Sequence, residues 1–449
     1  MKRSPQGLFL VLFLFRIGIA LGSEDYPQKA DDYLNQELKA GRFVGAAMVA
    51  RSNAIVFMKG YGLANREHNV ANAPDTKFRL GSITKQFTAA CILKLQEEGK
   101  LNLDDPVSKF VPDCSTNWAG VKIRHLLTHT SGIPSFTGFP DYISTMMLSS
   151  PPEKTLERFR NQPLEFKPGE RFAYSNSGYV LLGYIIEKSS GMSYEDYVQE
   201  RIFKPLGMKD TGYDHFEQIL SHRATGYARK GGNWSNSAYI DMTIPHAAGA
   251  LYSTVEDFFR WYQCWRERKI LSASSWNAMT TPGKDDYGFG IHVGEELGRK
   301  VLDHGGGING FGTMMKWFPE ADLFIAAFAN SESANPGTIA RNLAALMFEL
   351  PVKLPQERKP IALVPAQLAP LAGRYELATN FILSITTSNA QLFVQATGQP
   401  QSEIFAESET NFFSRVVDAQ LTFHKDAAGK VSHLTLHQNG DHEAKRLKD

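Results

Sequence analysis

The sequence has almost no net charge. Its 449 residues include 48 Lys and Arg against 47 Asp and Glu, which leaves a formal net charge of +1. A surface that binds nucleic acid or an anionic membrane needs a basic excess. The composition therefore gives no electrostatic case for a nucleic-acid partner.

Cysteine is scarce as well. The three cysteines, Cys91, Cys114 and Cys264, have no spacing typical of a metal site, and we predict no metal or other cofactor. Cys91 falls within an apolar segment with helical spacing, which favours burial of its thiol. A disulfide between Cys114 and Cys264 is compatible with the sequence.

Several common catalytic motifs are missing. No G-x-S-x-G occurs, which argues against an α/β-hydrolase. His125 and His129 have the spacing of zinc proteases, but Leu126 stands where H-E-x-x-H has its glutamate, and we assign both histidines structural roles. Residues 305–310 satisfy G-x-G-x-x-G, but a strand-like run follows where a dinucleotide site needs a helix.

The N-terminus has the pattern of a secretory signal. Lys2 and Arg3 precede an unbroken apolar run over residues 8–15, and Ala20-Leu21-Gly22 is a small-x-small cleavage site. We predict a signal peptide over residues 1–22, a periplasmic or secreted mature protein, and no stable membrane insertion after cleavage. Arg16 interrupts the apolar region, so an uncleaved anchor is the alternative, although the run is short for a membrane span.

Apolar alternation predicts an α/β domain over residues 23–350. Residues 45–51 and 54–59 read as two strands around a turn, and residues 312–318 and 323–330 read as a hairpin. The residues between these pairs are mostly helix and loop. We therefore predict an antiparallel sheet built from distant segments and flanked by helices, together with a helical subdomain.

The last hundred residues have a different character. Residues 351–365 carry four prolines and read as a linker. Residues 366–449 contain short strand-like runs separated by turn signals such as Ser388-Asn389 and Ala428-Gly429. About eight strands fit there, which predicts a small antiparallel β-barrel (lipocalin-like), with a sandwich as the alternative.

The most informative segment is Ser82-Ile83-Thr84-Lys85. Residues i and i+3 of a helix share a face, so the Ser82 hydroxyl and the Lys85 amine can touch. A serine hydroxyl becomes a good nucleophile only when a base takes its proton, and free N–H groups at a helix N-terminus favour developing negative charge. Gly81 leaves room for a group to approach the serine. S-x-x-K also arises by chance, so the pattern needs partners elsewhere in the chain.

Tyr174-Ser175-Asn176 offers the first partners. A tyrosine near a lysine cation loses its proton more easily, because an opposite charge favours the phenolate. Tyr174 can then act as a base toward Ser82 and as an acid toward the leaving group. Asn176 offers an amide that can orient Lys85 or a substrate carbonyl.

His304-Gly305-Gly306-Gly307 is the third segment. Its glycines let a substrate backbone approach a strand edge. The N–H of Gly307 can pair with that of Ser82 as an oxyanion hole, and His304 can supply a proton-shuttling or positioning group. Taken alone, this segment could equally be a flexible turn with a surface histidine. Tyr174, taken alone, could equally be a buried structural tyrosine.

In this order the three segments resemble the serine β-lactamase and penicillin-binding-protein superfamily, which uses S-x-x-K with partner motifs. The pattern is most similar to the class C branch, which has a Y-x-N second motif and a K-T-G-like or H-x-G third motif. Residues 123–134 and 172–191 also look like signature segments of these hydrolases. The similarity covers about residues 30 to 350 and implies a β-lactamase-like fold.

The resemblance also implies roles for these residues. Ser82 is the acylated nucleophile, Lys85 assists its deprotonation, and Tyr174 is the general base. Asn176 positions the lysine and the substrate, and the backbone amides of Ser82 and Gly307 form the oxyanion hole. The C-terminal segment resembles the barrel domains appended to some D-aminopeptidases.

The third segment departs from the β-lactamase pattern. His304 and Gly305 stand where a lysine and a hydroxyl residue would help to bind a substrate carboxylate, and Gly307 also lacks a hydroxyl. We therefore expect an exported serine hydrolase that acts on a small-molecule ester or a D-amino-acid-containing peptide. The alternatives are a class C-like β-lactamase and a non-catalytic penicillin-binding or sensing protein. The sequence does not indicate an oligomeric state.

Overall fold

A computed structural model describes residues 25–111, 114, 118–230, 233–352, 354, 358, 360–378, 381–397, 401–414, 419–438 and 440–447. The predicted signal peptide, residues 1–22, lies outside these residues, and the predicted linker is described only in part.

The strands and helices alternate irregularly along the first 350 residues. The strands are β1 (Gly45–Arg51), β2 (Ala54–Tyr61), β3 (Leu63–Asn65), β4 (Val70–Ala71), β5 (Phe78–Arg79), β6 (Gly212–Tyr213), β7 (Tyr227–Lys230), β8 (Asn233–Asn236), β9 (Leu251–Ser253), β10 (His292–Glu296), β11 (Arg299–Ile308), β12 (Phe311–Phe318) and β13 (Leu323–Ala329). The α-helices are α1 (Tyr26–Lys39), α2 (Thr84–Glu97), α3 (Ile123–Leu127), α4 (Tyr142–Thr145), α5 (Pro152–Glu157), α6 (Asn176–Ser190), α7 (Tyr194–Val198), α8 (Lys204–Leu206), α9 (His246–Gly249), α10 (Val255–Glu267), α11 (Ala273–Met279) and α12 (Pro336–Met347). Single turns of tighter or wider helix occur at Gly81–Ile83, Val107–Lys109, Phe136–Gly138, Gln199–Phe203, Lys284–Asp286 and Pro319–Ala321.

The central sheet joins the two ends of this region. Its order is β10-β11-β12-β13-β1-β2, and the neighbouring strands of each hairpin are antiparallel. β1 pairs with β13 along its whole length, from Gly45 opposite Ala329 to Arg51 opposite Leu323. The predicted antiparallel sheet from distant segments, flanked by helices, is therefore confirmed.

Alternation along β1 separates two apolar layers. Successive side chains of a strand point to opposite faces. Ala47 and Val49 pack with α1 and α12 on one face, whereas Met48 packs with α2 and α10 on the other. Both faces of β1 are covered, which is why its residues read as a continuous apolar run.

The third segment of the predicted site lies on a strand and not in a turn. β11 spans Arg299–Ile308 and continues through a short turn into β12, with Gly306 opposite Thr313 and Gly307 opposite Gly312. The sequence pattern missed β11 because its three consecutive glycines interrupt the apolar alternation, and it missed β10 because valine is the only apolar side chain of that strand. The strand assignment brings the glycines against the segment that carries Ser82.

A closed antiparallel barrel forms the C-terminal region. It consists of β14 (Gly373–Ala378), β15 (Phe381–Ser388), β16 (Gln391–Ala396), β17 (Ser402–Ala406), β18 (Asn411–Ser414), β19 (Gln420–Lys425), β20 (Val431–His437) and β21 (Asp441–Arg446), and it is preceded by α13 (Pro365–Leu368) and a turn at Ala369–Leu371. β14 closes the barrel by pairing with β21. Apolar side chains such as Tyr375, Phe412 and Phe423 form its core. The predicted barrel is confirmed.

Three further features bear on the predictions. No disulfide joins Cys114 to Cys264. Among the described residues, no helix combines the length and the apolarity that a membrane crossing requires. Within the same residues, no cluster of three or more His, Cys, Asp or Glu side chains has a metal-binding arrangement.

Candidate active site

Ser82 lies in the tight turn Gly81–Ile83 that leads directly into α2. The turn begins at Gly81, whose φ of +53° is a conformation that L side chains rarely adopt. A Cβ at this position would lie 2.9 Å from the backbone nitrogen of Gly307. The room that Gly81 leaves is therefore taken by strand β11, and the first N–H groups of the turn stay without helical partners.

Lys85 is fully buried one turn after Ser82. Its Nζ lies 3.0 Å from Ser82 Oγ, 2.9 Å from Asn176 Oδ1 and 2.8 Å from the Ala248 carbonyl oxygen. The two carbonyl oxygens can only accept hydrogen bonds. A neutral amine has two N–H groups for these oxygens, which leaves its lone pair for the hydroxyl of Ser82.

Burial sets the charge state of this lysine. Desolvation lowers the pKa of Lys85 well below its ordinary value, because the interior penalises the ammonium form. Among the described residues, no Asp or Glu forms an ion pair with Lys85 that would offset this effect. The arrangement therefore favours an amine that can accept the Ser82 proton.

Tyr174 and Asn176 approach from the start of α6. Ser175 caps this helix by accepting a hydrogen bond from the N–H of Gly178. This places Asn176 at the first helical position, where its Nδ2 donates to Thr137 Oγ1 at 3.2 Å. The contact leaves Oδ1 of Asn176 directed at Lys85.

The Tyr174 ring centroid lies 4.8 Å from Lys85 Nζ. We expected a lysine cation to lower the pKa of this tyrosine. Instead, desolvation raises the pKa of Tyr174, and a hydrogen bond with Ser82 only partly opposes the shift. The expected direction was wrong because buried Lys85 is neutral and not a cation, and because the site desolvates the Tyr174 hydroxyl although 39% of the residue is exposed. In the resting site Tyr174 keeps its proton.

His129 supports this loop from behind. Its ring centroid lies 4.2 Å from that of Tyr174, and its Nδ1 accepts a hydrogen bond from the N–H of Ser175 at 3.1 Å. His125 instead caps α3, where its Nδ1 accepts from the N–H of Lys122. Both contacts are structural, in line with the roles that we assigned to these histidines.

His304 does not reach Ser82 through either ring nitrogen. Its Nδ1 lies 2.6 Å from the Gly305 carbonyl, which can only accept, so Nδ1 carries the proton. Its Nε2 lies 2.8 Å from the Tyr287 hydroxyl, and burial lowers the pKa of His304 to about 4. The geometry fits a positioning group and does not support proton shuttling. Tyr287 was missed, because a single tyrosine outside the three segments gives no sequence signal.

The glycines of the third segment have different surroundings. A Cβ on Gly306 would lie 1.9 Å from the carbonyl oxygen of Leu80, which also accepts a hydrogen bond from Thr313 Oγ1 at 2.7 Å. A Cβ on Gly307 would meet no atom within 4 Å. We expected these glycines to admit a substrate backbone. Gly306 instead admits the segment just before Ser82, and only Gly307 borders open space.

A cleft of about 110 Å³ opens above these groups. Ser82, Asn176 and Gly307 are among its lining residues, so the nucleophile and both sides of the predicted oxyanion hole border the same space. The other lining residues are Gly81, Phe136, Thr137, Tyr142, Ile240, Pro245, Ala248, Gly249, Ile308 and Asn309. None of the lining residues carries a charge.

Sequence comparisons match both parts of the chain. The family model described as Beta-lactamase matches residues 30–347. The model described as a domain of unknown function, DUF3471, matches residues 357–448. Penicillin-binding protein 4* of Bacillus subtilis (strain 168) is 30% identical over 440 residues, which cover 91% of this chain and 96% of that protein.

Structure comparisons give similar matches. The octameric penicillin-binding protein homologue from Pyrococcus abyssi aligns with a TM-score of 0.67 and 29% identity, over 93% of this chain and 99% of that chain. The D-stereospecific amidohydrolase from Streptomyces sp. aligns with a TM-score of 0.60 and 26% identity, over 73% of this chain and 98% of that chain.

Proposed function

The chain belongs to the beta-lactamase family of serine hydrolases and penicillin-binding proteins, and on that basis we propose that it hydrolyses its substrate through an acyl-enzyme on Ser82. One observation carries the proposal. A buried lysine amine lies 3.0 Å from Ser82 Oγ while two oxygens that only accept hydrogen bonds occupy its other contacts. This is how an unactivated hydroxyl is made nucleophilic.

Acylation begins with a proton transfer. Lys85 accepts the proton of Ser82, and Ser82 Oγ attacks the substrate carbonyl carbon. The N–H groups of Ser82 and Gly307 stabilise the oxyanion that forms, since both residues border the cleft. The tetrahedral intermediate then collapses and expels the leaving group.

Tyr174 donates the proton that the leaving group needs. Its raised pKa keeps it protonated in the resting site, and its hydrogen bond with Ser82 places it beside the reacting atoms. Water then attacks the acyl-enzyme and gives one proton to the Tyr174 phenolate, and Lys85 returns its proton to Ser82 Oγ as the acid leaves. In this assignment Lys85 is the base and Tyr174 is the acid in acylation. The sequence resemblance instead implies that Tyr174 is the general base and that Lys85 assists it.

The substrate is an ester or a D-amino-acid-containing peptide. The uncharged cleft supports this choice, as does the presence of His304 and Gly305 where a carboxylate-binding lysine and hydroxyl residue would stand. A relative described as a D-stereospecific amidohydrolase supports the peptide alternative. The second candidate is a class C-like β-lactamase, favoured by the shared motif order, and the third is a non-catalytic penicillin-binding protein.

Fluorophosphonate labelling tests the nucleophile. We expect the wild-type chain and a Ser274→Ala control, which changes an exposed serine of α11, to be labelled alike, and Ser82→Ala to lose the label. Labelling of the Ser82→Ala variant would contradict the proposal. Turnover of nitrophenyl esters, D- and L-peptide amides and a chromogenic cephalosporin separates the three candidates, because a non-catalytic protein gives a stable adduct without turnover.

We also propose that the protein is exported to the periplasm or secreted. The basic start, apolar run and small-x-small site of residues 1–22 support this. The intact mass of protein expressed in cells with a secretion pathway provides the test. Cleavage before Ser23 is expected, and an uncleaved cytoplasmic product contradicts the proposal.

A further inference from the structure

Two segments that are hydrogen-bonded to each other form one wall of the cleft. Residues 136–150 contribute Phe136 and Tyr142 to the lining, and residues 238–245 contribute Ile240 and Pro245. The N–H of Asp241 donates to the Met146 carbonyl at 2.9 Å. The rings of Phe136 and Tyr142 are in contact, with centroids 5.9 Å apart.

Both segments also carry exposed apolar side chains next to or close to their lining residues in the sequence. Ile143, Met147 and Leu148, in the first segment, are 68%, 52% and 62% exposed. In the second segment, Tyr239 packs its ring against the exposed Phe216 at 5.6 Å. We call these five residues the rim. Exposed apolar side chains that adjoin a ligand cleft mark a surface that binds something apolar.

The acidic groups of the two segments are already engaged. The Asp241 carboxylate accepts hydrogen bonds from the Thr243 N–H at 3.0 Å and from Thr243 Oγ1 at 2.6 Å. Asp141 pairs with Arg158 at 2.8 Å. Neither segment contains a Lys, Arg or His and no charged residue lines the cleft, so the wall offers no cation to pair with a substrate carboxylate.

The cleft holds the acyl part of the substrate. Tyr174 is the proposed proton donor to the leaving group, so the leaving group must lie beside it. Tyr174 does not line the cleft. The portion of the substrate that remains bound to Ser82 after the leaving group departs therefore occupies the space between Phe136, Tyr142 and Ile240.

We propose that this site selects a neutral, apolar acyl group whose chain runs from the cleft onto the rim. The inference rests on the proposed function and specifies its substrate class. In the reaction, the acyl carbon forms a bond to Ser82 Oγ as its bond to the alcohol oxygen breaks, and the alcohol leaves with a proton. Water then splits the acyl-enzyme into the fatty acid and free Ser82.

A series of nitrophenyl esters with different acyl groups and one leaving group tests the proposal. Each methylene that leaves water contributes a several-fold gain in binding. We expect kcat/KM for the octanoate to exceed that for the acetate by about 10- to 100-fold, since only part of the chain is covered. An acyl group of butanoate length that ends in a carboxylate is expected to react at least about 10-fold more slowly than butanoate itself.

Two matched variants locate the effect. Ile143→Asp puts a carboxylate on the rim and is expected to lower the octanoate-to-acetate ratio by about 10-fold. Ile55→Asp makes the same change at an exposed isoleucine of β2, with β1, β13 and β12 between it and β11. It is expected to leave the ratio unchanged.

The outcomes separate this inference from the proposed function. Equal rates for acetate and octanoate, a preference for the charged acyl group, or equal effects of the two variants would overturn the inference while Ser82 labelling stands. Absence of both labelling and acetate hydrolysis would overturn the proposed function itself.

Discussion

Replacing Lys85 by methionine tests whether its amine is neutral in the folded protein. An unfolded lysine has a pKa of about 10.4, and burial lowers the pKa of Lys85 in the folded chain. Between these two values the unfolded state binds one more proton than the folded state. The contribution of Lys85 to the free energy of unfolding then rises with pH, by about 1.4 kcal/mol per pH unit.

Lys85→Met removes this slope. We expect the difference in unfolding free energy between the wild type and the variant to increase with pH by about 1.4 kcal/mol per pH unit, in the range between the lowered pKa of folded Lys85 and the ordinary lysine pKa. The variant also loses stability by an amount that does not change with pH. It leaves Asn176 Oδ1 and the Ala248 carbonyl without their lysine donor, and each unsatisfied acceptor costs about 1–3 kcal/mol. The slope, and not the offset, therefore reports the charge state.

Urea unfolding followed by tryptophan fluorescence measures the slope. All six tryptophans lie between residues 118 and 317, so the signal reports on the domain that contains Lys85 and not on the barrel. Lys94→Met is the matched control, since Lys94 lies on the same helix with a partly exposed side chain. Its stability is expected to run parallel to the wild type. If Lys85→Met is parallel too, the amine is charged in the folded protein and cannot be the resting base.

Two further predictions concern the partners of Ser82. Gly306→Ala places a Cβ within 1.9 Å of the Leu80 carbonyl oxygen, so we expect a loss of about 3 kcal/mol in unfolding free energy and slow fluorophosphonate labelling. Gly307→Ala is expected to keep wild-type stability. Equal urea midpoints for the two variants would contradict this packing. Tyr174→Phe is expected to slow amide hydrolysis by about 10²- to 10⁴-fold but to slow nitrophenyl ester hydrolysis far less, because nitrophenolate departs without a proton. Equal losses on both substrates would instead make Tyr174 the base.

Much of the site could be predicted from local spacing and from the order of the three segments. Ser82 and Lys85 are three residues apart on one helical turn, so their contact follows from helix geometry alone. Tyr174, Asn176 and Gly307 are distant in sequence, and only the resemblance of the whole pattern joined them to Ser82. The structure brings Asn176 Oδ1 to 2.9 Å from Lys85 Nζ, and it places the backbone nitrogen of Gly307 2.9 Å from the position that a Cβ on Gly81 would take.

Other parts of the site leave no trace in the sequence. The Ala248 carbonyl is one of the three groups around the Lys85 amine, and any residue type can supply a backbone carbonyl. Gly306 and Gly307 are identical in the sequence, yet one is required by the Leu80 carbonyl and the other borders open space. The barrel, by contrast, follows from strand alternation alone, because its apolar core is built from alternate residues of consecutive hairpins.

The expected pKa shift of Tyr174 had the wrong sign for the resting site, but its physical basis applies one step later. Desolvation favours the neutral forms of Lys85 and Tyr174 before the reaction. In the proposed mechanism Lys85 becomes a cation when it takes the Ser82 proton, and it lies 4.8 Å from the Tyr174 ring centroid. An opposite charge favours the phenolate, so proton uptake by Lys85 makes Tyr174 a stronger acid at the moment when the leaving group needs its proton. Burial therefore acts twice. It makes Lys85 a base before the attack, and afterwards it strengthens the electrostatic effect of the Lys85 cation on Tyr174, because charges interact more strongly in a low-dielectric site.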